Sequence, residues 1–547
     1  MATSSSAEAG GTGRTYQDAL THLNLLIPNR TVTALFDNRP QPTSGPAPDP
    51  NLQALPEMLT WLRRAGYTPS DLARLRCIHV AGTKGKGSTC AYLTSLLVAA
   101  PDRRAGRVGT YTSPHLVTPR ERIALDGRPI GKALFARYFF EVWDRLTDAA
   151  VAEGVMTPEA ARGAGSKPFY FRFLTLLAFH VFLSEGVRSA VVEVGIGGAY
   201  DATNVLPPEA VTAAVITQLG VDHVAMLGDT PEKIAWHKAG VMKRGVPAFT
   251  RLLGGKKKSA GGGQGENEND EGVMRVLKSR AEELGCSELV EVRDEHVDAW
   301  GGVRVRGRVK GGSFQSRNQA LAALAAEEHL CSLASTSPDA EPKATRKLAE
   351  LPAWMTEAMK QTSLRGRQEV VEDPQRPAVR WLLDGAHTVE SLDETAAWLA
   401  AEREEDENLV RKRRRFVLLF NQQEREAGKL LGGFLDKLRQ ALAVGEAKAS
   451  SDGRLFDAAL FSRNDLARSD TDTRPDVSVQ ESCRGTFASC HPGTTTEVCP
   501  DLPTAMDRVG DMASRFHEAG EETIVLVTGS LHLVGGVIRL LEPDGLD

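Results

Sequence analysis

Residues 80–89 read Val-Ala-Gly-Thr-Lys-Gly-Lys-Gly-Ser-Thr. Gly82, Gly85 and Gly87 let backbone N–H groups curl round an anion, and Lys86 at the centre of the turn reaches the outer oxygens of a phosphate. The apolar run Cys77–Ala81 before it reads as a short buried strand. Ser88 onward (STCAYLTSLLVAA) reads as a helix, whose N-terminus adds partial positive charge. Gly82, Thr83, Lys84, Gly85, Lys86, Gly87 and Ser88 are therefore candidate phosphate-binding residues. The spacing departs from that of the common P-loop: Val80 stands five places before Gly85, and Gly87 separates Lys86 from the hydroxyl of Ser88. An ordinary glycine turn is the competing reading; strand, lysine and helix in one unit favour nucleotide phosphate.

Other polar clusters follow predicted strands, where open α/β sheets bind ligands. Thr112-Ser113-Pro114-His115-Leu116 follows Arg107–Tyr111. Glu193 to Asn204 (EVGIGGAYDATN) follows Ala190–Val192. Gly220-Val-Asp222-His223 follows Val211–Thr217, and Lys238 lies a little further on in EKIAWHKAG. Singly, each is as well explained by a satisfied strand-end carboxylate or a core histidine. Beside a phosphate loop they supply the oxygen ligands, hydroxyl and cations of an Mg–ATP site. Mg²⁺ takes oxygen ligands and keeps several waters, so few protein ligands suffice. Ser113 and Glu193 are the candidate ligands, and His223 is a less usual third. Later, LLDGAHT places Asp384 and His387 after another strand, LRGRQE supplies Arg365 and Arg367, and TGSLH places Ser530 after a third. Turns with helix caps are the competing reading for these.

The elements that must position these residues alternate. Helix Tyr16–Leu26 and the Pro-rich loop Pro40–Pro50 precede apolar strands and helices from Cys77 to Thr217, including a helix Phe173–Leu183 that is apolar all round. This predicts a parallel sheet with helices on both faces. A second alternation (Val379–Leu383, Phe416–Phe420, Ala458–Phe461, Thr523–Val527) predicts a smaller α/β domain. Gly254–Gly272 reads as a low-complexity disordered insertion and Ala334–Lys347 as a linker. The acidic-then-basic run Glu402–Arg415 reads as a solvated helix end in preference to a localisation signal.

The chain has 547 residues, too many for one core, and a net charge of −5. No basic field exists to hold nucleic acid or an anionic membrane. The longest dense apolar stretch is too short for a bilayer, which needs roughly 20 residues. Seven cysteines at irregular spacing suggest reduced thiols in a cytosolic protein. The gaps around Cys483, Cys490, His491 and Cys499 do not fit a zinc site.

Taken together the motifs resemble the folylpolyglutamate synthases, Mur-ligase-like ATP-dependent amide-forming ligases. GTKGKGS (82–88), TYTSPHL (110–116), EVGIGGAYDATN (193–204), LGVDHVAMLGDT (219–230), EKIAWHKAGVMK (232–243), LRGRQ (364–368), LDGAHT (383–388) and TGSLHLVGG (528–536) carry the resemblance, with NQALAALA (318–325) and YQDALTHLN (16–24). FYFRFLTLLAFHVFL (169–183), Lys84 and Thr388 resemble the eukaryotic branch; the bacterial branch usually has Asn at the last two. Residues 254–272 and 445–500 match poorly and read as lineage-specific loops. The resemblance implies an N-terminal P-loop ATPase domain (1–340) with a mostly parallel sheet, a linker (341–365) and a smaller C-terminal Rossmann-like α/β domain (366–547), with the site in the cleft between them. It implies ATP, two Mg²⁺ ions and a monovalent cation such as K⁺, with folate and L-glutamate as substrates of a cytoplasmic monomer, leaving open a mitochondrial form from another start site.

By the same resemblance, Ser113 and Glu193 hold the Mg²⁺ of ATP, and Glu193 and His223 a second ion. Arg367 and Asp384 touch ATP. His387 and Ser530 meet the incoming glutamate, and Thr112, Pro114, His115 and Arg122 bind substrate. Lys86 acts on the transferred phosphoryl group, and Lys238 carries a carbamate. Dihydrofolate synthase, the same chemistry on dihydropteroate, is the nearest alternative, and a nucleotide-dependent switch the more distant one.

Overall fold

A computed structural model describes residues 14–27, 50–253, 264–303, 314–334, 347–376, 378–407, 413–422, 426–444, 454–468 and 475–543. Most of the predicted loop Pro40–Pro50 and of the stretch Ala334–Lys347 lies outside them.

Long apolar runs buried on both faces make parallel strands, and the described residues build two such sheets. The first has eight strands: β1 (Cys77–Ala81), β2 (Val108–Tyr111), β3 (Ile123–Leu125), β4 (Arg128–Pro129), β5 (Ser189–Glu193), β6 (Val211–Ile216), β7 (Ala248–Arg251) and β8 (Leu289–Val292), in the order β4-β3-β2-β5-β1-β6-β7-β8. Every residue of β1, β5 and β6 is buried. The pairs β2–β3 and β3–β4 are antiparallel and the others parallel. The glycine-loop strand β1 is thus central, between β5 and β6.

The second sheet has six strands: β9 (Glu369–Glu372), β10 (Val379–Leu383), β11 (Arg414–Phe420), β12 (Ala458–Ser462), β13 (Thr495–Cys499) and β14 (Glu522–Thr528), in the order β13-β12-β11-β14-β10-β9. Only β9 is antiparallel to its neighbour.

Chain contacts divide the molecule into two units. The second begins at Ser363 and also takes the short segment Leu116–Thr118. The expected linker 341–365 contains a helix, Ala353–Lys360, that belongs to the first unit. No helix among the described residues is long and apolar enough to cross a membrane.

Three sequence expectations need correction. The predicted insertion 254–272 is helical from Gln264 onward, because Val273, Met274, Leu277 and Ala281 bury one face of the helix Gln264–Leu284; residues 254–263 lie outside the described residues. The run Glu402–Arg415 does hold a helix end, at Glu407, but its last two arginines open β11 two residues before the expected Phe416, and Arg415 pairs with Asp457 at 2.7 Å and Glu521 at 2.6 Å. The stretch 445–500, expected as loops, carries the helix Ser478–Cys490 and β13, whose Cys483 and Phe487 join the core.

The helix Tyr170–Ser184 is buried at every position from Phe173 to Phe182 and centres the first unit's core. Two histidines are buried beside the first sheet. His79 Nε2 meets Thr203 Oγ1 at 2.8 Å, and His329 bridges Thr212 and Ser189. Burial pushes both down to about 3 from the ordinary 6.5. The unfolded chain gains a proton on each below about pH 6.5, whereas the folded chain resists down to about 3. Stability from these groups is therefore full above pH 6.5 and falls on acidification, by roughly 2 kcal/mol for each at pH 5. Thermal midpoints at pH 7.5 and 5.0 check this; an unchanged midpoint contradicts it.

Candidate nucleotide and ligase site

At the carboxyl end of β1 the chain turns through Gly82 (φ 146°) and Gly85 (φ 85°), and Gly85 caps the helix Lys86–Val98. The helix begins two residues earlier than expected, so Lys86 to Ser88 form its first turn. Side chains at either glycine are excluded on two counts. Both backbones are in conformations that favour glycine, and a Cβ would lie 1.9 Å from Thr217 Oγ1 or 2.4 Å from Asn318 Oδ1. The end of β6 fastens the loop: Thr83 and Lys84 N–H donate to Gln218 O, and the Thr217 hydroxyl donates to Lys84 O at 2.7 Å.

Two ammonium groups converge on one carbonyl of this loop. Lys86 Nζ donates to Gly82 O at 2.9 Å and Lys238 Nζ to the same oxygen at 3.0 Å. Lys238 is 1 % exposed and also contacts Asp222 Oδ2 at 3.3 Å. Burial outweighs the attraction of Asp222 and lowers Lys238 to about 8, with Lys86 contributing by repulsion. Lys86 has no carboxylate partner among the described residues. The loop thus presents positive charge and helix N–H groups that one carboxylate incompletely offsets, which is an anion site.

Neighbouring strand ends complete the first group. Because β2 lies beside β5, the Ser113 N–H reaches Glu193 Oε2 at 3.0 Å. The contact is made by the backbone of Ser113. The loop after Glu193 is held by Asp201, which accepts from Gly195 N–H, Ile196 N–H and both donors of Thr203. His223, past β6, has left-handed backbone (φ 46°), and burial lowers its pKa toward the neutral imidazole. His115 Nδ1 accepts from Arg122 Nε at 2.9 Å, and the Arg122 guanidinium lies over the Tyr170 ring. Thr112 N–H donates to Arg122 O, and Pro114 follows a cis peptide bond.

The second unit assembles its own group at the ends of β10 and β14. Asp384 accepts from Ala386 N–H at 3.0 Å and Gln368 N–H at 3.2 Å, tying the LRGRQ turn, with Arg367, to the end of β10. His387 Nδ1 meets Gly385 O at 2.9 Å. Ser530 caps the helix Leu531–Leu541 through His532 and Leu533 N–H.

Sequence reasoning gave no specific role to three residues here. Thr217 braces the loop, Asp222 partners Lys238, and Asn318 lies against Gly85 with its Nδ2 buried and unpartnered. Asp222 and Asn318 stood inside motifs already singled out, LGVDHVAMLGDT and NQALAALA.

A carboxylate 2 % exposed with a serine beside it suits a hard cation, and His223 on the loop past β6 has its pKa lowered by burial. Among the described residues no three His, Cys, Asp or Glu side chains cluster as a metal cage. An ion held here keeps water or phosphate oxygens as most of its ligands.

A glycine loop on the central strand of a mostly parallel sheet, two lysines on its carbonyl and a second α/β unit define a two-domain P-loop nucleotide-dependent protein. A folylpolyglutamate synthase of Neurospora crassa is 38 % identical to this chain, covering 97 % of it and 92 % of that protein. The chain belongs to the folylpolyglutamate synthase family. A probable folylpolyglutamate synthase of Schizosaccharomyces pombe is 36 % identical over 97 % of this chain and 94 % of its own length. No protein-family model matches. Among solved structures, Mycobacterium tuberculosis folylpolyglutamate synthase complexed with ADP shares the fold at a TM-score of 0.60 and 21 % identity, over 96 % of this chain and 99 % of its own. A structure described as an FPGS–AMPPCP–folate complex does so at 0.57 and 20 %, over 96 % and 99 %.

Proposed function

We propose that this protein is an ATP-dependent ligase that extends folates with L-glutamate. The observation that carries the reading is the convergence of Lys86 and Lys238 on the Gly82 carbonyl, within a family whose curated members are named for this reaction. The γ-phosphoryl group of ATP passes to the folate γ-carboxylate, giving an acyl phosphate and ADP. The glutamate amine then attacks the acyl carbon, and phosphate leaves with the C–O bond electrons. Lys86 and the N–H groups of the loop stabilise charge on the transferred group. Asn318 offers a donor beside the loop. Ser113, Glu193 and His223 would hold Mg²⁺, which when bound neutralises phosphate charge; a second Mg²⁺ and a K⁺ belong to the same proposal. Arg367 and Asp384 serve the nucleotide, His387 and Ser530 the incoming glutamate, and Thr112, Pro114, His115 and Arg122 the folate. The protein acts as a cytoplasmic monomer.

ADP release measured with neither, either or both of tetrahydrofolate and L-glutamate tests the reaction. Release requires both, and dihydropteroate does not replace the folate. Preference for dihydropteroate would make the chain a dihydrofolate synthase, and turnover without acceptor would point to a switch.

Glu193→Gln keeps the side chain's shape and loses the charge a hard cation prefers. The concentration of Mg²⁺ needed for half-maximal rate rises by about tenfold or more, while the KM for folate changes little. A magnesium titration decides; an unshifted curve removes Glu193 from the metal's surroundings.

A further inference from the structure

The second unit contains a groove of about 350 Å³ that none of the roles above uses. Leu116, Val117 and Leu466 supply its apolar lining, and Gly535 and Gly536 bare the backbone of the helix Leu531–Leu541. Glycine at 535 is required: a Cβ would lie 2.3 Å from the Leu116 carbonyl oxygen, so only a bare Cα lets that segment seat on the helix.

Three polar side chains line the groove, and each carries a donor. His532 and Arg539 are seven residues apart on this helix, which puts them on one face two turns apart. Both are exposed, and neither side chain has a partner among the described residues. Asn464 is the third. Its Oδ1 accepts from Asn421 Nδ2 at 2.8 Å, and Asn421 Oδ1 in turn accepts from Gln480 Nε2 at 2.8 Å. That relay fixes the amide orientation and leaves Asn464 Nδ2 buried without an acceptor, an expense that an incoming oxygen removes.

A cation, an imidazole and an orphaned amide beside leucine and valine side chains match carboxylates carried on short aliphatic arms. Among the described residues no Phe, Tyr or Trp lines the groove, so it offers little for stacking a pteridine or purine. Its volume lies near the lower end of small-molecule sites, which run from roughly 300 to 1,000 Å³. A γ-linked glutamyl chain has this chemistry: one α-carboxylate and two methylenes per residue. We propose that the groove holds the γ-glutamyl tail of a folate acceptor that has already been extended, an assignment that rests on the ligase reading above. Arg539 and Asn464 take α-carboxylates of the tail, and Leu116, Val117 and Leu466 cover its methylenes.

Kinetics of the full chain with monoglutamyl and triglutamyl tetrahydrofolate test this, alongside calorimetry with a pteridine-free γ-linked triglutamate peptide. In Arg539→Gln the KM for the triglutamyl acceptor rises about tenfold or more, while kcat/KM for the monoglutamyl acceptor stays within about twofold. The peptide binds the wild type and loses about tenfold or more of its affinity in Arg539→Gln and in Asn464→Ala. Neither free L-glutamate nor inorganic phosphate displaces it at equal concentration. An unchanged triglutamyl KM, or an equal loss with both acceptors, overturns the assignment. Displacement by free L-glutamate also overturns it and makes the groove the site of the incoming amino acid. Wild-type protein that glutamylates no folate would refute the ligase reading, and the peptide titration would still decide the groove.

Discussion

Lys86→Ala lowers kcat/KM at least about a hundredfold and leaves the fold intact. The expected loss is one preorganised cation at a transferring phosphoryl group, about 3 kcal/mol of transition-state stabilisation. Stability is spared because among the described residues Lys86 Nζ bonds only the carbonyls of Gly82 and Thr83, so its removal strands no described carboxylate. The comparison requires steady-state kinetics together with a thermal midpoint near that of the wild type. A folded variant that keeps more than about a tenth of wild-type kcat/KM would mean that the ammonium does not act on phosphate.

Lys238→Ala is inactive, and small carboxylic acids added to the buffer restore part of the rate. Lys238 is fully buried and held at about 8 chiefly by desolvation. At pH 7 roughly a tenth of the amine is then neutral, against roughly three parts in ten thousand for an ordinary lysine. A neutral amine is what CO₂ requires: the nitrogen lone pair forms the N–C bond, one proton is released, and a carbamate anion remains. That anion suits a position among Lys86, the glycine loop and a cation. Uptake of bicarbonate-derived CO₂ should rise with pH to a midpoint near 8 instead of near 10.5. The substitution also strands Asp222, so a lower thermal midpoint accompanies it. Rescue by an added acid separates the chemical loss from the structural one. Density ending at the lysine nitrogen, in crystals grown with bicarbonate and ATP, would sink the carbamate.

Strand positions in this chain were largely legible, because strands buried on both faces must be written as unbroken apolar runs. Cys77–Ala81 and Val379–Leu383 stand where those runs placed them. Helix starts were less legible. Gly85, in a left-handed conformation, is the cap, and this draws Lys86 and Gly87 into the helix that composition placed from Ser88. The residues 264–272 looked unstructured because their own composition is polar; the apolar face that orders them begins at Val273. Within the site, the glycines and lysines announce themselves by type and spacing. Their partners do not: Asp222 meets Lys238 only across the packed end of the sheet, and Asn318 reaches Gly85 from a distant helix.

The segment Leu116–Thr118 belongs to the second unit although it lies in the middle of the first unit's sequence. A gene cut at residue 362 would therefore not yield two self-sufficient proteins. The N-terminal product would carry Leu116 and Val117 without the core they pack on, and the C-terminal product would leave Gly366 and Gly535 facing space that Leu116 fills in the whole chain. Both fragments would be expected to expose apolar surface and to associate. The workable division is a permuted or co-expressed one that supplies residues 116–118 to the C-terminal half.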